Sequence, residues 1–477
     1  HNPQLDSSHH PARFAIINMA KPIVAIVGRP NVGKSSLFNR LVGKRLAVVD
    51  EVPGTTRDRL HGEAEWAGVT FLVVDTGGID PITVARAHGR APLSVGSAEF
   101  VSQIRDQAET AIRDADAVLF VVDVESGVTP ADAEVAEILR REQRKVNGQM
   151  RPPVILVVNK VDSNKRREEV PAFYELGMGE PNPISALHGT GTGDMLDALV
   201  KALDREAEEA EPEEHDLAIA ILGKPNAGKS TLFNALLGEE RVIVSEIPGT
   251  TRDAIDTLLD WEGLKVRLID TAGLKRRGRI EPGVEKYSSI RTMKAIERAD
   301  VCLLLIDAVA GLSAQDAHIA GYIQDAFKSA VIIINKWDAV AKNSQSMEVF
   351  SLEIRQRLDF IAYAPLLFIS AKTGQRVEEV LPLAARVGEE RLVKLSTSQI
   401  NKILGEAQDR HPPPTKSGRT LKIFYGTQVR SDPPTFLIYV NDYKIVHFTY
   451  ERYLENRIRD AHSFLGTPIR LVFKNRA

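Results

Sequence analysis

Short, wholly apolar runs recur along this chain, and they alternate with stretches that show the helical spacing of apolar residues. Four runs lie in the first half and four in the second, at residues 23–27, 71–74, 117–122 and 154–158, then 217–222, 266–269, 301–306 and 331–334. A strand that is apolar on both sides must be covered on both sides, which favours a parallel sheet with helices on both faces. The pattern therefore predicts an α/β fold that occurs twice in tandem.

The two halves also repeat their polar segments in the same order. Lys34 and Thr56 are 22 positions apart, and so are Lys229 and Thr251. Such equal spacing indicates duplication of a whole domain. The repeated segments are G-R-P-N-V-G-K-S at 28–35 and G-K-P-N-A-G-K-S at 223–230, P-G-T-T-R-D at 53–58 and 248–253, D-T-G-G at 75–78 and D-T-A-G at 270–273, N-K-V-D at 159–162 and N-K-W-D at 335–338, and S-A at 185–186 and 370–371.

The composition changes near residue 391. Residues 391–477 hold 15 Lys and Arg against 7 Asp and Glu, and their pattern of helix, strand, strand, helix and strand predicts a small α/β domain. We therefore predict five regions. They are an extension or tag at 1–18, expected to be disordered, a first domain at 19–203, an acidic linker at 204–216, a second domain at 217–390 and a C-terminal domain at 391–477.

Charge and cysteine content narrow the function classes. The net charge of −3 gives no strong overall attraction to nucleic acid, although the C-terminal region alone is basic. The single cysteine, Cys302, lies inside an apolar run, which predicts a buried core residue and excludes a disulfide within the chain. No apolar run approaches the roughly 20 residues that span a bilayer. We expect a cytoplasmic protein without a membrane span.

Each G-x-x-x-x-G-K-S segment is a P-loop, whose backbone N–H groups cradle nucleotide phosphates. Lys34 and Lys229 are expected to reach the β- and γ-phosphates. The other predicted phosphate and Mg²⁺ residues are equivalent in the two halves. The loops contribute Gly28, Asn31, Gly33, Ser35 and Ser36, and Gly223, Asn226, Gly228, Ser230 and Thr231; the Mg²⁺ ligands are Ser35, Thr56 and Asp75, and Ser230, Thr251 and Asp270; the γ-phosphate contacts are Gly78 and Gly273.

The N-K-x-D segments identify the base as guanine. The carboxylate of Asp162 or Asp338 can accept hydrogen bonds from guanine N1–H and N2–H₂, whereas adenine would leave it unpaired at a cost of about 1–3 kcal/mol. Asn159 and Asn335 are expected to join this loop to the P-loop. Lys160, Lys336, Ser185, Ser370, Ala186 and Ala371 complete the predicted base site, the last two through backbone N–H groups placed for guanine O6.

Hydrolysis is expected to be slow. Ile79 and Leu274 occupy the position after D-x-x-G where Ras-type enzymes carry a glutamine that orients water. The motifs given so far resemble those of Era-type GTPases, in which this asparagine helps to hold a potassium ion near the phosphates, and the resemblance implies the same role for Asn31 and Asn226. The alternative is that these asparagines only stabilise the turn of the loop.

The combined motifs resemble Era-type GTPases, and the tandem pair with its α/β tail resembles the EngA family, also called Der. The tail contributes H-P-P-P at 411–414, P-P-T-F at 433–436, Y-L-E-N-R at 453–457 and G-T-P-I-R at 466–470. The resemblance implies a bacterial GTPase with a KH-like C-terminal domain, acting in assembly of the large ribosomal subunit, with that subunit and its rRNA as partners.

The tail lacks the G-x-x-G clamp of KH domains, because no two of its four glycines are three positions apart. Its basic balance predicts either contacts with RNA phosphates, with Arg452, Arg457 and Arg459 as candidates, or docking on a GTPase domain of the same, monomeric chain. The basic segment 275–279 is a second candidate for RNA, or else a solvated loop. Two other functions are considered. One is a nucleotide-gated scaffold in which one site is mainly regulatory; the other, a membrane-acting GTPase, is disfavoured by the lack of a basic amphipathic helix.

Overall fold

The computed structural model describes residues 21–43, 61–75, 109, 111–146, 149–207, 215–238, 242–245, 256–270, 289–340, 346–416 and 418–476. The chain divides into two compact units. One comprises residues 19–212 with 288–294, and the other comprises 213–287 with 295–477. Within the described ranges no helix has the length and hydropathy needed to cross a membrane.

The first unit contains a six-stranded sheet in the order β2-β3-β1-β4-β7-β8. All neighbouring strands are parallel except β2 and β3. The strands of the first unit are β1 Ile23–Val27, β2 His61–Trp66, β3 Val69–Asp75, β4 Ala117–Asp123, β5 Arg144–Val146, β6 Gln149–Arg151, β7 Val154–Asn159 and β8 Asn182–Pro183. Of these, β5 and β6 do not join the six-stranded sheet but pair with each other as an antiparallel hairpin. The helices of this unit are α1 Lys34–Val42, α2 Pro130–Glu142, α3 Asn164–Arg167 and α4 Thr192–Ala207.

One core of the first unit lies between the sheet and the helices α1 and α4. Leu37 and Phe38 of α1 pack there with Leu199 of α4, against Val24 and Ile26 of β1. All five residues of β1 are buried, as expected for a central parallel strand. The ligand-binding edge of such a sheet is where its parallel strands end, so this core fixes the start of α1 at the carboxyl end of β1.

The second unit repeats this plan with seven strands in the order β10-β11-β12-β9-β13-β14-β15. Strand β11 is antiparallel to both of its neighbours, β10 and β12, and the other neighbouring pairs are parallel. The strands are β9 Leu217–Leu222, β10 Val242–Ser245, β11 Thr257–Trp261, β12 Leu264–Ile269, β13 Val301–Asp307, β14 Ser329–Asn335 and β15 Leu366–Phe368. Helix α6 Ser289–Arg298 begins within the residues assigned to the first unit and ends within those of the second. The other helices of the second unit are α5 Lys229–Leu237, α7 Ala314–Asp325, α8 Ser346–Arg357 and α9 Val380–Arg391.

Alternate side chains of β13 enter two different cores. Leu303 and Leu305 pack on one face of the sheet, whereas Cys302 and Leu304 pack on the other. The prediction of a buried cysteine is confirmed, and burial raises the pKa of the Cys302 thiol to about 12. This thiol is therefore a neutral core group at physiological pH.

The C-terminal region packs two helices on one face of a small sheet in the order β18-β19-β20. Strands β18 and β19 are antiparallel, and β19 and β20 are parallel. Phe436 and Ile438 of β19 meet Ile400 and Leu404 of α10 and Leu454 of α11 in its core. The elements are α10 Thr397–Arg410, β16 Thr415–Lys416, β17 Arg419–Thr420, β18 Ile423–Ser431, β19 Pro434–Val440, α11 Phe448–Ala461 and β20 Arg470–Asn475.

Residues before β20 also bond directly to the seven-stranded sheet of the same unit. Ala330 N–H in β14 donates to Gly466 O at 2.7 Å, and Gly466 N–H donates to Tyr363 O at 3.0 Å. The hydroxyls of Ser329 and Thr467 lie 3.0 Å apart and are buried. Gly466 has φ +68°, and a Cβ there would lie 2.6 Å from a methyl of Val387, so the close approach requires glycine.

The parallel strands and their helices follow the prediction, but the antiparallel edge of each sheet was not predicted. His61–Trp66 reads H-G-E-A-E-W, and only Ala64 is buried. An edge strand with one covered face needs few apolar residues, so a search for continuous apolar runs misses it.

Candidate nucleotide sites

The P-loop of the first unit joins β1 to α1 and closes around a lysine. Lys34 Nζ donates to Gly28 O at 2.7 Å and to Arg29 O at 2.9 Å. A Cβ at Gly28 would lie 2.2 Å from Val121 O of the neighbouring strand, so only glycine allows the loop to lie so close to β4. Gly33 has φ +94°, which favours glycine at the turn into the helix.

The second P-loop repeats this geometry. Lys229 Nζ donates to Gly223 O at 2.8 Å and to Lys224 O at 3.0 Å. A Cβ at Gly223 would lie 2.6 Å from Leu305 O, and Gly228 has φ +100°. Two loops of different sequence thus hold their lysines in the same way, and each presents the N-terminus of a helix as an anion site.

An asparagine joins each P-loop to the N-K-x-D segment. Asn159 Nδ2–H donates to Val32 O at 2.8 Å, and Ala186 N–H donates to Asn159 Oδ1 at 2.9 Å. The corresponding bonds of Asn335 are 2.9 Å to Ala227 O and 3.0 Å from Ala371 N–H. The structure therefore contains the predicted link between the asparagines and the P-loops.

The backbone N–H groups of Ala186 and Ala371 have a different partner from the one expected. Each donates to the Oδ1 atom of its asparagine. These alanines connect three loops of the site, because the same asparagine also reaches the P-loop. Ser185 and Ser370 act locally, with their Oγ atoms accepting from backbone N–H groups three residues later at 3.2 Å.

The lysines of N-K-x-D are fixed by an acidic residue that sequence reasoning missed. Lys160 Nζ lies 2.7 Å from Asp123 Oδ2 and 3.2 Å from Glu125 Oε2. The hydrogen bond to Asp123 raises the pKa of Lys160 above its ordinary value, against the opposing effect of burial. Lys336 Nζ makes the equivalent contact with Asp307 Oδ2 at 2.5 Å. Both lysines have positive φ, 67° and 63°.

Asp307 is held in its charged form by several donors. Burial raises its pKa, but hydrogen bonds from Lys336 and from the N–H groups of Val309 and Ala310 outweigh burial and lower the pKa overall. The backbone bonds to Asp307 Oδ1 are 2.9 and 3.3 Å long. A fixed carboxylate at this position orients the lysine that lies beside the base loop.

A second acidic residue that sequence reasoning missed contacts a cation of each P-loop. Arg29 Nε lies 3.1 Å from Asp132 Oδ1, and Lys224 Nζ lies 3.4 Å from Asp316 Oδ2. Each aspartate is also the third helical residue, N3, of α2 or α7, where it completes a capping box with the N-cap Thr129 or Ser313. The equal spacing of these aspartates in the two halves could have identified them from the sequence, since Asp123 and Asp132, like Asp307 and Asp316, are nine positions apart (132 − 123; 316 − 307).

The predicted metal ligands differ between the two sites. In the first, Ser35 Oγ donates to Asp75 Oδ2 at 2.9 Å, so the two groups expected at Mg²⁺ are adjacent. In the second, Asp270 has φ +56°, and its N–H donates to Asp256 Oδ1 at 3.0 Å. Ser230 is buried at the start of α5. Among the described residues, no group of three or more His, Cys, Asp or Glu could hold a metal by itself.

Some of the remaining predicted site residues lie in the part of the chain that the structure describes, and others lie outside it. Ser36 and Thr231 lie exposed in the first turns of α1 and α5, and Asp162 and Asp338 are exposed at the base loops. Asn31 and Asn226 have φ values of 67° and 64°. Outside the described residues lie Thr56, Gly78, Thr251 and Gly273, together with residues 1–18, most of the linker and the basic segment 275–279.

One of the three arginines proposed for phosphate contact is turned inward. Arg459 Nη2 lies 2.9 Å from Glu455 Oε1, and its guanidinium lies 5.2 Å from the ring centre of Tyr363. It therefore joins α11 to the seven-stranded domain. Arg452 and Arg457 are more exposed, with 57% and 30% of their side chains accessible.

The two sites, each a P-loop joined by an asparagine to an N-K-x-D loop, define a P-loop GTPase with tandem nucleotide domains. A family model described as 50S ribosome-binding GTPase matches residues 23–160 and 218–336, and one described as the KH-domain-like C-terminal domain of EngA bacterial GTPase enzymes matches 394–474. The chain is 47% identical over 458 residues to GTPase Der of Listeria innocua, covering 96% of this chain and 100% of that protein. It is 48% identical over 458 residues to GTPase Der of Geobacillus kaustophilus, with the same coverage. The chain belongs to the Der (EngA) family of GTPases.

The similarity to solved structures is weaker than the similarity to these relatives. A variant of Era from Aquifex aeolicus bound to GDP and AlF4− is 22% identical and covers 54% of this chain and 92% of its own. Its TM-score of 0.27 is too low for any conclusion about function.

Proposed function

We propose that this protein is a switch that binds and hydrolyses GTP at two sites and acts in assembly of the large ribosomal subunit. The observation that supports nucleotide binding is the pair of hydrogen bonds made by each asparagine, one to the P-loop and one to the S-A loop. This link sets the separation between the phosphate cradle and the base loop. A ligand that fills both must carry phosphates and a base at that separation.

Guanine is selected by Asp162 and Asp338. Each carboxylate offers two acceptor oxygens, which match N1–H and N2–H₂ of guanine. The test is Asp338→Asn in the second site. An amide donates one hydrogen bond and accepts another, which matches the C2 carbonyl and N1–H of xanthine. The variant should prefer XTP over GTP, with Asp162→Asn as the equivalent change in the first site. Retained GTP preference in both variants would contradict the assignment.

The chain's own groups bind and orient the phosphates. Lys34 and Lys229 supply fixed positive charge to the β- and γ-phosphates, and the N–H groups of the P-loop surround them. Ser35 with Asp75, and Ser230 with Asp270, are the groups that would hold Mg²⁺, which neutralises charge on the phosphate oxygens when bound. Thr56, Thr251, Gly78 and Gly273 are proposed to close over the γ-phosphate in the GTP state.

We propose a slow intrinsic rate that potassium increases. Ile79 and Leu274 cannot orient water through a side-chain amide. The left-handed backbone of Asn31 and Asn226 is one that asparagine tolerates well, so the turn alone could account for these residues. GTP hydrolysis in KCl and NaCl at equal ionic strength decides between the readings. Equal rates would remove the potassium proposal.

A second candidate function is a scaffold in which one site binds GTP mainly for regulation. The different settings of Asp75 and Asp270 favour it: Asp75 ends β3 and accepts a hydrogen bond from Ser35 Oγ, whereas Asp270 follows β12 with a left-handed backbone at φ +56°. Lys34→Ala and Lys229→Ala should be assayed separately. Unchanged hydrolysis in one variant marks its site as regulatory, whereas equal losses in both support two hydrolytic sites.

The ribosomal role rests on the matched family, whose description names the 50S ribosome, and on the basic C-terminal region. We further propose a cytoplasmic monomer with domains at 19–203, 217–390 and 391–477, joined by the linker 204–216. Its KH-like domain stays docked on the second GTPase domain through the Gly466 bonds. Co-sedimentation with ribosomal subunits in GDP, GTP and a non-hydrolysable analogue tests the switch. Binding that ignores the nucleotide would refute it.

A further inference from the structure

The KH-like sheet has a second face, opposite the one that packs on α10 and α11. Phe436 and Ile438 of β19 point to the core, as do Leu471 and Phe473 of β20. Side chains alternate along a strand, so Leu437 and Tyr439 of β19 and Val472 and Lys474 of β20 lie on the other face. The register pairs Tyr439 with Lys474.

Exposed aromatic rings collect at one end of this face. Tyr425 of β18 lies directly opposite Tyr439, and their rings stack with centroids 4.5 Å apart and planes 18° from parallel. A register shift between Ile423 and Tyr425 leaves Phe424 exposed beside them. Phe424 and Tyr425 each keep 42% of their surface accessible, and contiguous exposed apolar surface of this kind marks interaction sites.

The strands that carry these rings, with the residues just before β18 and just after β20, hold charge of one sign. Residues 419–431, 434–440 and 470–476 contain six Lys or Arg and no Asp or Glu. Lys474 is the cross-strand neighbour of Tyr439, and the guanidinium of Arg476 lies 4.9 Å from the ring centre of Phe424. The Arg476 N–H bonds to Val440 O at 2.9 Å, which anchors this arginine to the sheet. Flat rings among cations complement a polyanion with exposed bases.

The other side of the domain offers no standard clamp. Gly405 lies within α10, and a Cβ at Gly426 would lie 2.7 Å from Leu404 Cδ1 in the core. Gly466 lies against Val387 of the second GTPase domain. These glycines therefore lie in a helix, against the core and against the second GTPase domain, and RNA binding by this domain needs a different surface.

We propose that the aromatic–basic face, formed by Phe424, Tyr425, Tyr439, Lys474 and Arg476, binds single-stranded RNA. Bases stack on the tyrosine pair and on Phe424, while Lys474 and Arg476 contact the phosphates. Recognition is tolerant of sequence, because every base has a face that can stack. A duplex is excluded, since its bases are already stacked on one another. The choice of RNA as the occupant rests on the proposed ribosomal function.

The test measures binding of a fluorescein-labelled uridine oligomer of about ten nucleotides, within the usual site sizes for single strands. The full chain is used, with GDP present throughout. The double variant Tyr425→Ala with Tyr439→Ala should weaken binding by about tenfold or more. The conservative pair Tyr425→Phe with Tyr439→Phe keeps the ring faces and should bind like the wild type. Tyr174→Ala removes an exposed tyrosine of the first domain and is the matched control.

Charge is tested separately by Lys474→Gln with Arg476→Gln. The slope of log K against log salt should become shallower by about 0.7 for each phosphate that the variant no longer neutralises. Duplex RNA should compete poorly with the labelled strand. Unchanged binding in the alanine pair, equal competition by duplex, or a tyrosine-dependent self-association in place of RNA binding would each overturn the proposal.

GTP hydrolysis by the same preparations separates this inference from the proposed function. Loss of RNA binding with intact hydrolysis in the alanine pair supports the face as an RNA site. Wild-type protein that hydrolyses GTP and sediments with ribosomal subunits but ignores the oligomer would refute the face and leave the proposed function standing.

Discussion

Replacing Asn335 by alanine should destabilise the second GTPase domain and weaken its nucleotide binding. Asn335 is 2% exposed and makes two buried hydrogen bonds, from Nδ2–H to Ala227 O and from Ala371 N–H to Oδ1. Alanine removes both partners at once. The Ala227 carbonyl and the Ala371 N–H then lose these buried hydrogen bonds.

The size of the effect follows from these two orphaned groups. Each unsatisfied buried polar group costs about 1–3 kcal/mol, so the two groups orphaned by Asn335→Ala should together cost about 2–6 kcal/mol. Entry of a water would move the value toward the lower limit. The loop that carries Asp338 also loses its anchor, so affinity for GDP at this site should fall at least about tenfold.

Hydrogen exchange resolved by peptide is the appropriate assay, because a chain of several domains does not unfold in one step. Peptides from β14 should lose protection by the predicted free energy, while peptides from β7 in the first domain should not change. Asn159→Ala should give the reverse pattern, since its bonds have nearly the same lengths.

A small or delocalised effect would refute this reasoning. If Asn335→Ala changed exchange in β14 by less than about 0.5 kcal/mol, the two hydrogen bonds would not hold the loops together. If both domains lost protection equally, the asparagine would not act within its own site.

Three further changes test other parts of the structure. Gly228→Ala should abolish nucleotide binding at the second site in a filter assay, because a Cβ there would lie 2.2 Å from Asn335 Nδ2 and φ is +100°; normal binding would show that the loop can rearrange. Asp307→Asn should make the stability of the protein less dependent on pH in the acid range. Because the pKa of Asp307 is lowered in the folded state, its contribution to stability is present above the ordinary pKa near 4 and is lost as the pH falls through the folded-state pKa. Denaturant titrations at several pH values measure this, and a variant as sensitive to acid as the wild type would contradict the contact. Gly466→Ala should expose the KH-like domain to limited proteolysis by displacing Val387, and Val387→Ala added to it should restore part of the resistance; failure of both changes to alter cleavage would argue against the docked contact.

Most of the nucleotide sites could be predicted from the sequence, because their chemistry depends on short segments. A P-loop needs glycine, lysine and serine at fixed spacing, and N-K-x-D needs one carboxylate after a strand. These requirements are local, so they are visible without a fold. The link between Asn159 and Val32 was also predictable, since both segments follow parallel strands and must lie at the same edge of a sheet.

The acidic residues that hold the site lysines and arginine were missed because they lie far along the chain from their partners. Asp123 and Lys160 are 37 positions apart, and Arg29 and Asp132 are 103 apart, so only the folded sheet brings them together. An isolated aspartate after a strand is usual in any loop. Only the recurrence of both aspartates at the same spacing in the second half of the chain distinguishes them from other loop residues.

By itself the sequence determined the local chemistry: two phosphate cradles, a preference for guanine and a duplicated α/β domain, since each is encoded by residues near one another in the chain. The tertiary structure decided which groups hold those cradles in place, how the two metal sites differ, and which face of the C-terminal sheet carries stacked tyrosines among cations. Those features depend on strand order, register and the direction of side chains across a sheet. They come from residues far apart in the chain, whose proximity is set by packing of the whole domain.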